Sequence, residues 1–185
     1  MIQCFNYSHK FDSIFAASFM YKVDQVLETD PCCNDFPNCL HPHTQTSNQI
    51  FEKKIKVFDD LKDSLIDACK KYFERDNIKV GYVVGWAYRN DKGREMKESR
   101  WHHHKNVDID VSNMTELSAI MYMNETDLGT EIDTEHFRLR IKPKLFHWFL
   151  WPANLLHRPE PGVTNHTRFI IASTIGIYNA HKNNS

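Results

Sequence analysis

The sequence predicts an α+β domain that is mainly β, a sandwich or barrel carried on helical support near the N-terminus. Three observations predict it: an amphipathic stretch ahead of residue 75, six short strand-like segments after it, and turn residues between those segments. At 185 residues the chain can bury a sizeable core as one domain, with 1–75 as loop and helical support and 76–180 as the β core.

The elements follow in order. Residues 14–21 and 23–27 are apolar stretches whose periodicity suits a strand or a short helix equally. Residues 29–47 turn to Pro, Asn, Asp, Cys and His, the composition of a surface loop, and a loop that long is often functional, for instance as a rim over a pocket. Over residues 47–75 the apolar Ile55, Phe58, Leu61, Leu65, Ala68 and Tyr72 recur every three or four positions, so a helix lays one stripe on something flat. Residues 79–88, rich in β-branched and aromatic side chains, begin the flat partner. Asn90 to Gly93 is a turn, since Asn and Gly tolerate positive φ. Further strands are expected at 96–105, 117–124, 131–141, 146–150 and 168–177.

Composition removes several function classes. A net charge of -1 provides no field to gather nucleic acid or an anionic membrane. No apolar stretch approaches the roughly 20 residues that span a bilayer, and residues 1–30 lack a basic region followed by an apolar core. Five cysteines (Cys4, Cys32, Cys33, Cys39, Cys69) form no CxxC pair. A soluble cytoplasmic protein in a reducing compartment is the expectation. The remaining partner is a small-molecule or peptidyl substrate, and oligomeric state is not legible.

Chemistry concentrates between Trp101 and Arg168. In an extended segment alternate side chains share a face, so His102 and His104 converge while His103 turns away. With His157 from a distant strand they would form a three-imidazole metal set, able to hold Fe, Zn, Cu or Ni. A solvated His-rich strand end and a satisfied core histidine are the rival readings. Arg168 opens an apolar strand, where a guanidinium turned inward needs an anionic partner such as a substrate carboxylate. An exposed arginine at a strand end is the rival here. Trp101, Trp148 and Trp151 are candidates for pocket walls.

Four stretches carry a family resemblance. They are Thr44-Gln45-Thr46-Ser47-Asn48-Gln49-Ile50-Phe51; Glu116 to Asn124 (ELSAIMYMN) followed by Gly129-Thr130-Glu131, similar to an "xxYLN…GGxx" strand and turn; Lys142-Pro143-Lys144 leading into Trp148-Phe149-Leu150-Trp151-Pro152; and the interval from His157 to Arg168. In order and spacing, over residues 44–175, they resemble the 2-oxoglutarate- and Fe(II)-dependent oxygenases, especially the prolyl-hydroxylase-like branch with its small phage and marine-bacterial members. The resemblance implies a double-stranded β-helix (a cupin-like jelly roll) with flanking N-terminal helices. It implies Fe(II) and 2-oxoglutarate as cofactors, His157 as the distal iron ligand, Arg168 as salt-bridge partner of the 2-oxoglutarate distal carboxylate, and Tyr122 as a hydroxyl donor to that carboxylate. The activity implied is hydroxylation of an organic substrate, with 2-oxoglutarate decarboxylated to succinate. A prolyl or other amino-acid residue, a nucleotide and a sugar all fit as substrate.

One feature departs from the family. Its first ligand pair reads His-x-Asp or His-x-Glu, whereas the matching place here reads His102-x-His104-x-Asn106. Three outcomes stay open: a three-histidine site with His102, His104 and His157, a carboxylate supplied by Asp108 or Asp110, or a degraded site. A three-histidine cupin-type dioxygenase that does not use 2-oxoglutarate and a non-catalytic jelly-roll binding module are the alternative functions.

Other signals are weaker. Cys32, Cys33, Cys39, His41 and His43 offer zinc donors, but not in a standard spacing of ligand hooks. The sequons at Asn124 and Asn165 mean little without a secretory signal. The lysines of residues 53–71 alternate with Asp59, Asp60 and Asp63, as on an ordinary solvated face.

Overall fold

The computed structural model describes residues 1–31, 44–47, 49–96, 100–105 and 112–179. Its elements are β1 (Gln3–Asn6), α1 (Ser13–Thr29), a 3-10 turn (Ile50–Glu52), α2 (Lys56–Phe73), β2 (Val80–Asn90), β3 (Glu95–Met96), β4 (Met114–Tyr122), β5 (Thr130–Asp133), β6 (Arg138–Ile141), β7 (His147–Pro152), β8 (Leu156–Pro159), β9 (Gly162–Val163) and β10 (Arg168–Tyr178). The chain is mainly β, and every pairing between these strands is antiparallel.

Residues left open between strand and helix form α1. Asp12 caps it, its carboxylate accepting from the Phe15 amide at 2.8 Å, and Ala16, Phe19, Val23, Val26 and Leu27 bury one face at helical spacing. The helix expected from residue 47 begins later, at Lys56. Residues 50–52 form the 3-10 turn, and Lys54 takes φ 51, which breaks helical continuity before α2. In α2, Phe58, Leu61, Leu65 and Ala68 are fully buried, as their spacing predicts, and Glu74 ends the helix in a left-handed conformation.

Five strands form the larger sheet in the order β1-β7-β4-β10-β2. Both helices cover one face. There Trp148, Met121, Leu150 and Ile171 join Phe19, Phe58 and Leu61 in one core, and the Trp148 indole donates to Ser64 Oγ at 2.8 Å. The opposite face carries Ile120, Tyr122, Phe149, Trp151 and Ile170, which pack on Ile132 and Ile141 of a second sheet, β6-β5-β8. Burial on both faces explains why β4 and β10 read as nearly continuous apolar runs.

Several expectations are corrected. The single strand expected at 131–141 is two, β5 and β6, joined through a turn in which the Thr134 amide donates to the Phe137 carbonyl at 3.0 Å. The strand expected at 96–105 is not continuous: β3 ends at Met96, and residues 100–105 make only an isolated bridge, His102 to His157. That polar stretch lacks the apolar alternation that would pin it to a sheet. Residues 44–47, expected in a loop, lie along the edge of β2, where the Thr46 amide donates to Ala87 O and the Arg89 amide to Thr44 O; they blunt an otherwise open edge. The Cys/His-rich residues 32–43 and Asp108 and Asp110 lie outside the described residues.

Candidate metal centre

The register of the larger sheet sets the floor of a cavity. Trp86, Ala172, Ile120 and Phe149 face one another across β2, β10, β4 and β7, the row of Tyr88, Ile170 and Tyr122 lies beside them, and Arg168 stands opposite Asn90 at the end. Ala172 leaves room between larger neighbours. The roof is β8, where His157 pairs with Ile132 of β5 on one side and exchanges two backbone hydrogen bonds with His102 on the other, at 3.1 and 2.8 Å. The His104 amide donates to the Ala153 carbonyl at 3.1 Å. Two residues of one extended segment are thereby fastened beside β8.

The three rings come together. Candidate donor atoms of His102, His104 and His157 all lie within 4.8 Å of one another, and the ring centroids are 4.6 to 5.0 Å apart. Bonds of about 2.1 Å to one ion would place donors some 3 to 3.5 Å apart, so closing the set needs movements on the order of an ångström. Nδ1 of His102 faces the Arg100 carbonyl at 3.1 Å and Nδ1 of His157 the Leu155 carbonyl at 3.0 Å. A carbonyl only accepts, so each Nδ1 carries the proton and each Nε2 keeps its lone pair for a metal. Among the described residues no carboxylate joins the cluster.

Burial favours the neutral form of two of the rings. The His104 imidazolium is disfavoured by burial first and then by its histidine neighbours, which pushes its pKa down to about 3; burial likewise lowers His157 to about 4. In the metal-free protein, both rings are neutral in folded and unfolded states above their ordinary value of 6.5. As pH falls below that value the unfolded chain takes up protons that the folded chain refuses, so stability declines toward pH 4. Denaturant titrations from pH 7.5 to 4.5 should show this decline, with a shallower slope in His104→Asn.

Arg168 sits across the cavity and is 1% exposed. Among the described residues its Nε has no hydrogen-bond partner, and its two terminal nitrogens reach Asn90 Oδ1 and the Gly129 carbonyl, each at 3.4 Å. Its guanidinium carbon lies 5.5 Å from the centre of the Tyr122 ring. Tyr122 is fully buried and its hydroxyl lies 2.9 Å from Thr130 Oγ1, on the cavity wall. The cavity between, about 50 Å³, is lined by all three histidines, Trp86, Tyr88, Ser118, Thr130, Trp151, Arg158 and Arg168, and among the described residues by no Asp or Glu. Such a lining favours an anion.

Not every aromatic candidate reaches the cavity. Trp151 does, its ring 5.1 Å from that of His157. Trp148 points to the helices instead, because neighbouring residues of a strand take opposite faces. Trp101 lies outside, flanked by Arg158 and Arg138 at 4.5 and 5.2 Å. Trp86 joins the wall without having been a candidate in the sequence, although it stands at the alternating position that shares a face with Tyr88. Gly129 braces the far end: its amide donates to Glu160 at 2.8 Å, and a Cβ there would lie 2.0 Å from the Ile141 carbonyl oxygen. Gly129→Ala should cost about 2 kcal/mol or more by chemical denaturation, because backbone cannot yield as a side-chain tip can.

No family model matches the sequence, and no curated protein matches it. Solved structures do match across nearly the whole chain. A viral collagen prolyl hydroxylase from Paramecium bursaria Chlorella virus-1, in its 2-oxoglutarate complex, covers 97% of this chain and 96% of its own at 10% identity and TM-score 0.56. A prolyl-4-hydroxylase from Pseudomonas putida covers 97% and 92% at 9% identity and TM-score 0.60. The fold is that of the prolyl hydroxylases. HygX from Streptomyces hygroscopicus, solved with nickel and 2-oxoglutarate bound, shares it at 12% identity, 97% and 82% coverage and TM-score 0.57.

Proposed function

We propose that this chain is an Fe(II)- and 2-oxoglutarate-dependent dioxygenase on a double-stranded β-helix, hydroxylating an organic substrate. His102, His104 and His157 would hold the metal, and Arg168 with Tyr122 would bind the far carboxylate of 2-oxoglutarate. The observation that carries the proposal is a buried guanidinium whose Nε has no partner among the described residues, in the same cavity as three converging imidazoles. A buried cation left so poorly paired is costly unless a ligand completes it, and a dicarboxylate meets that need at one end while its other end chelates. Support comes also from the structures that share the fold, two of which hold 2-oxoglutarate.

The donor set fits the metal, since neutral imidazole suits iron and three protein ligands leave coordination positions open. When bound, Fe(II) would supply the coupling of O₂ reduction to oxidation of two partners, so that substrate C–H becomes C–OH while 2-oxoglutarate becomes succinate and CO₂. The chain's own residues do the rest. The Arg100 and Leu155 carbonyls fix two imidazoles by accepting their Nδ1 protons. Arg168 anchors the co-substrate, and the contact between the Tyr122 and Thr130 hydroxyls orients a donor beside it. Trp86 and Trp151 wall the space and restrict water.

A three-histidine dioxygenase that needs no 2-oxoglutarate also suits the lack of a carboxylate among the described residues of the cluster. In that reading Arg168 would meet a carboxylate of the substrate itself. Anaerobic titration of the Fe(II)-loaded protein with 2-oxoglutarate separates the two: a saturable, weak visible charge-transfer band is expected, and its absence would favour the rival.

A further inference from the structure

Beyond the three histidines and the arginine, the sheet that floors the cavity carries a second set of buried polar groups without partners among the described residues. The row next to Trp86 and Ala172 consists of Val84, Thr174, Ser118 and Trp151, paired in register across β2, β10, β4 and β7. Ser118 Oγ, Thr174 Oγ1 and Trp151 Nε1 are buried and have no hydrogen-bond partner among the described residues, with residue exposures of 1%, 3% and 2%. Residues opposite one another in an antiparallel register share a face. Ser118 and Trp151 line the cavity, and Trp151 touches His157. Three orphaned polar groups in one row each carry a desolvation cost. Arg168 is three rows away on the same face, so its ligand is not what they await.

We infer that this row is the substrate subsite, and that it recognises an uncharged oxygen acceptor, such as an amide carbonyl, on the molecule to be oxidised. The inference rests on the dioxygenase reading. An indole N–H donates only, so the partner must accept; the two hydroxyls adapt to either role. Charge decides the rest. The row carries no cation to meet a carboxylate, and the next row on that face places Glu116, bonded to the Tyr82 hydroxyl, where it would repel one. An ammonium would meet the Trp151 donor head on. Val84, partly exposed, leaves the outer end of the row accessible.

The test uses ¹⁵N-indole NMR on protein loaded with Zn(II) and 2-oxoglutarate, the Trp151 signal being assigned through Trp151→Phe. The probes are N-methylacetamide, acetate and methylammonium. N-methylacetamide should move the Trp151 signal saturably, binding at least about 10-fold more tightly than either ion, and Ser118→Ala and Thr174→Val should each weaken it about 5-fold, the loss of one hydrogen bond. 2-Oxoglutarate binding, followed separately by calorimetry, should stay within 2-fold of the parent in both variants, about the resolution of such a comparison. No response to the amide, equal response to acetate, or unchanged affinity in both variants would overturn the subsite. Failure of the parent protein to bind 2-oxoglutarate would instead overturn the dioxygenase reading.

Discussion

Arg168→Met is expected to make the protein more stable while sharply weakening its binding of 2-oxoglutarate. Methionine has similar reach and no charge to desolvate, and the parent arginine has two long contacts and an unpartnered Nε at 1% exposure. Replacing a poorly compensated buried ion by an apolar group of similar size is often neutral or stabilising, by about 1 to 4 kcal/mol. For a chain of this length each kcal/mol shifts Tm by roughly 2 to 4 °C, so calorimetry without ligand should show a gain of a few degrees. The cost falls on binding. Charge-assisted hydrogen bonds contribute about 1.5 to 3 kcal/mol, which predicts a loss of about 10- to 100-fold in 2-oxoglutarate affinity. Adding 2-oxoglutarate should raise the Tm of the parent and leave that of the variant unchanged. A variant that is less stable without ligand would mark Arg168 as a structural residue.

His157→Ala is expected to reduce Fe(II) affinity by at least about 100-fold, since losing even an outer partner of a ligand costs about 10- to 100-fold. His157 touches both other rings, at 4.6 and 4.8 Å, and its backbone fastens the segment carrying them. Alanine keeps those backbone bonds, so the fold should persist, which far-UV circular dichroism can verify. Metal content after reconstitution and the charge-transfer band with 2-oxoglutarate should fall together. His103→Ala is the matched control: His103 is exposed and outside the cluster, and metal content should not change.

Legibility in the sequence followed periodicity. α2 was visible because only one of its faces is buried, so Phe58, Leu61, Leu65 and Ala68 stand out against Lys and Asp. β4 and β10 were visible as strands but not as carriers of two different surfaces. With both faces covered, Trp148 and Trp151 look alike in sequence, and only the pleat assigns one to the helices and the other to the cavity. Weak strands such as β8 and β9 were missed because they are short, bounded by Pro159 and Gly162, and held by partners far along the chain.

By itself the sequence determined the mainly β class, the amphipathic helix that covers it, and the residue types available for chemistry: imidazoles at 102, 104 and 157 and a guanidinium at 168. These are local properties, fixed by composition and spacing. Only the tertiary structure decided that 157 lies against 102, that Arg168 is left short of partners across the same cavity, and that Ser118, Thr174 and Trp151 align in one row. Those relations depend on strand register between segments tens of residues apart, which no local pattern encodes.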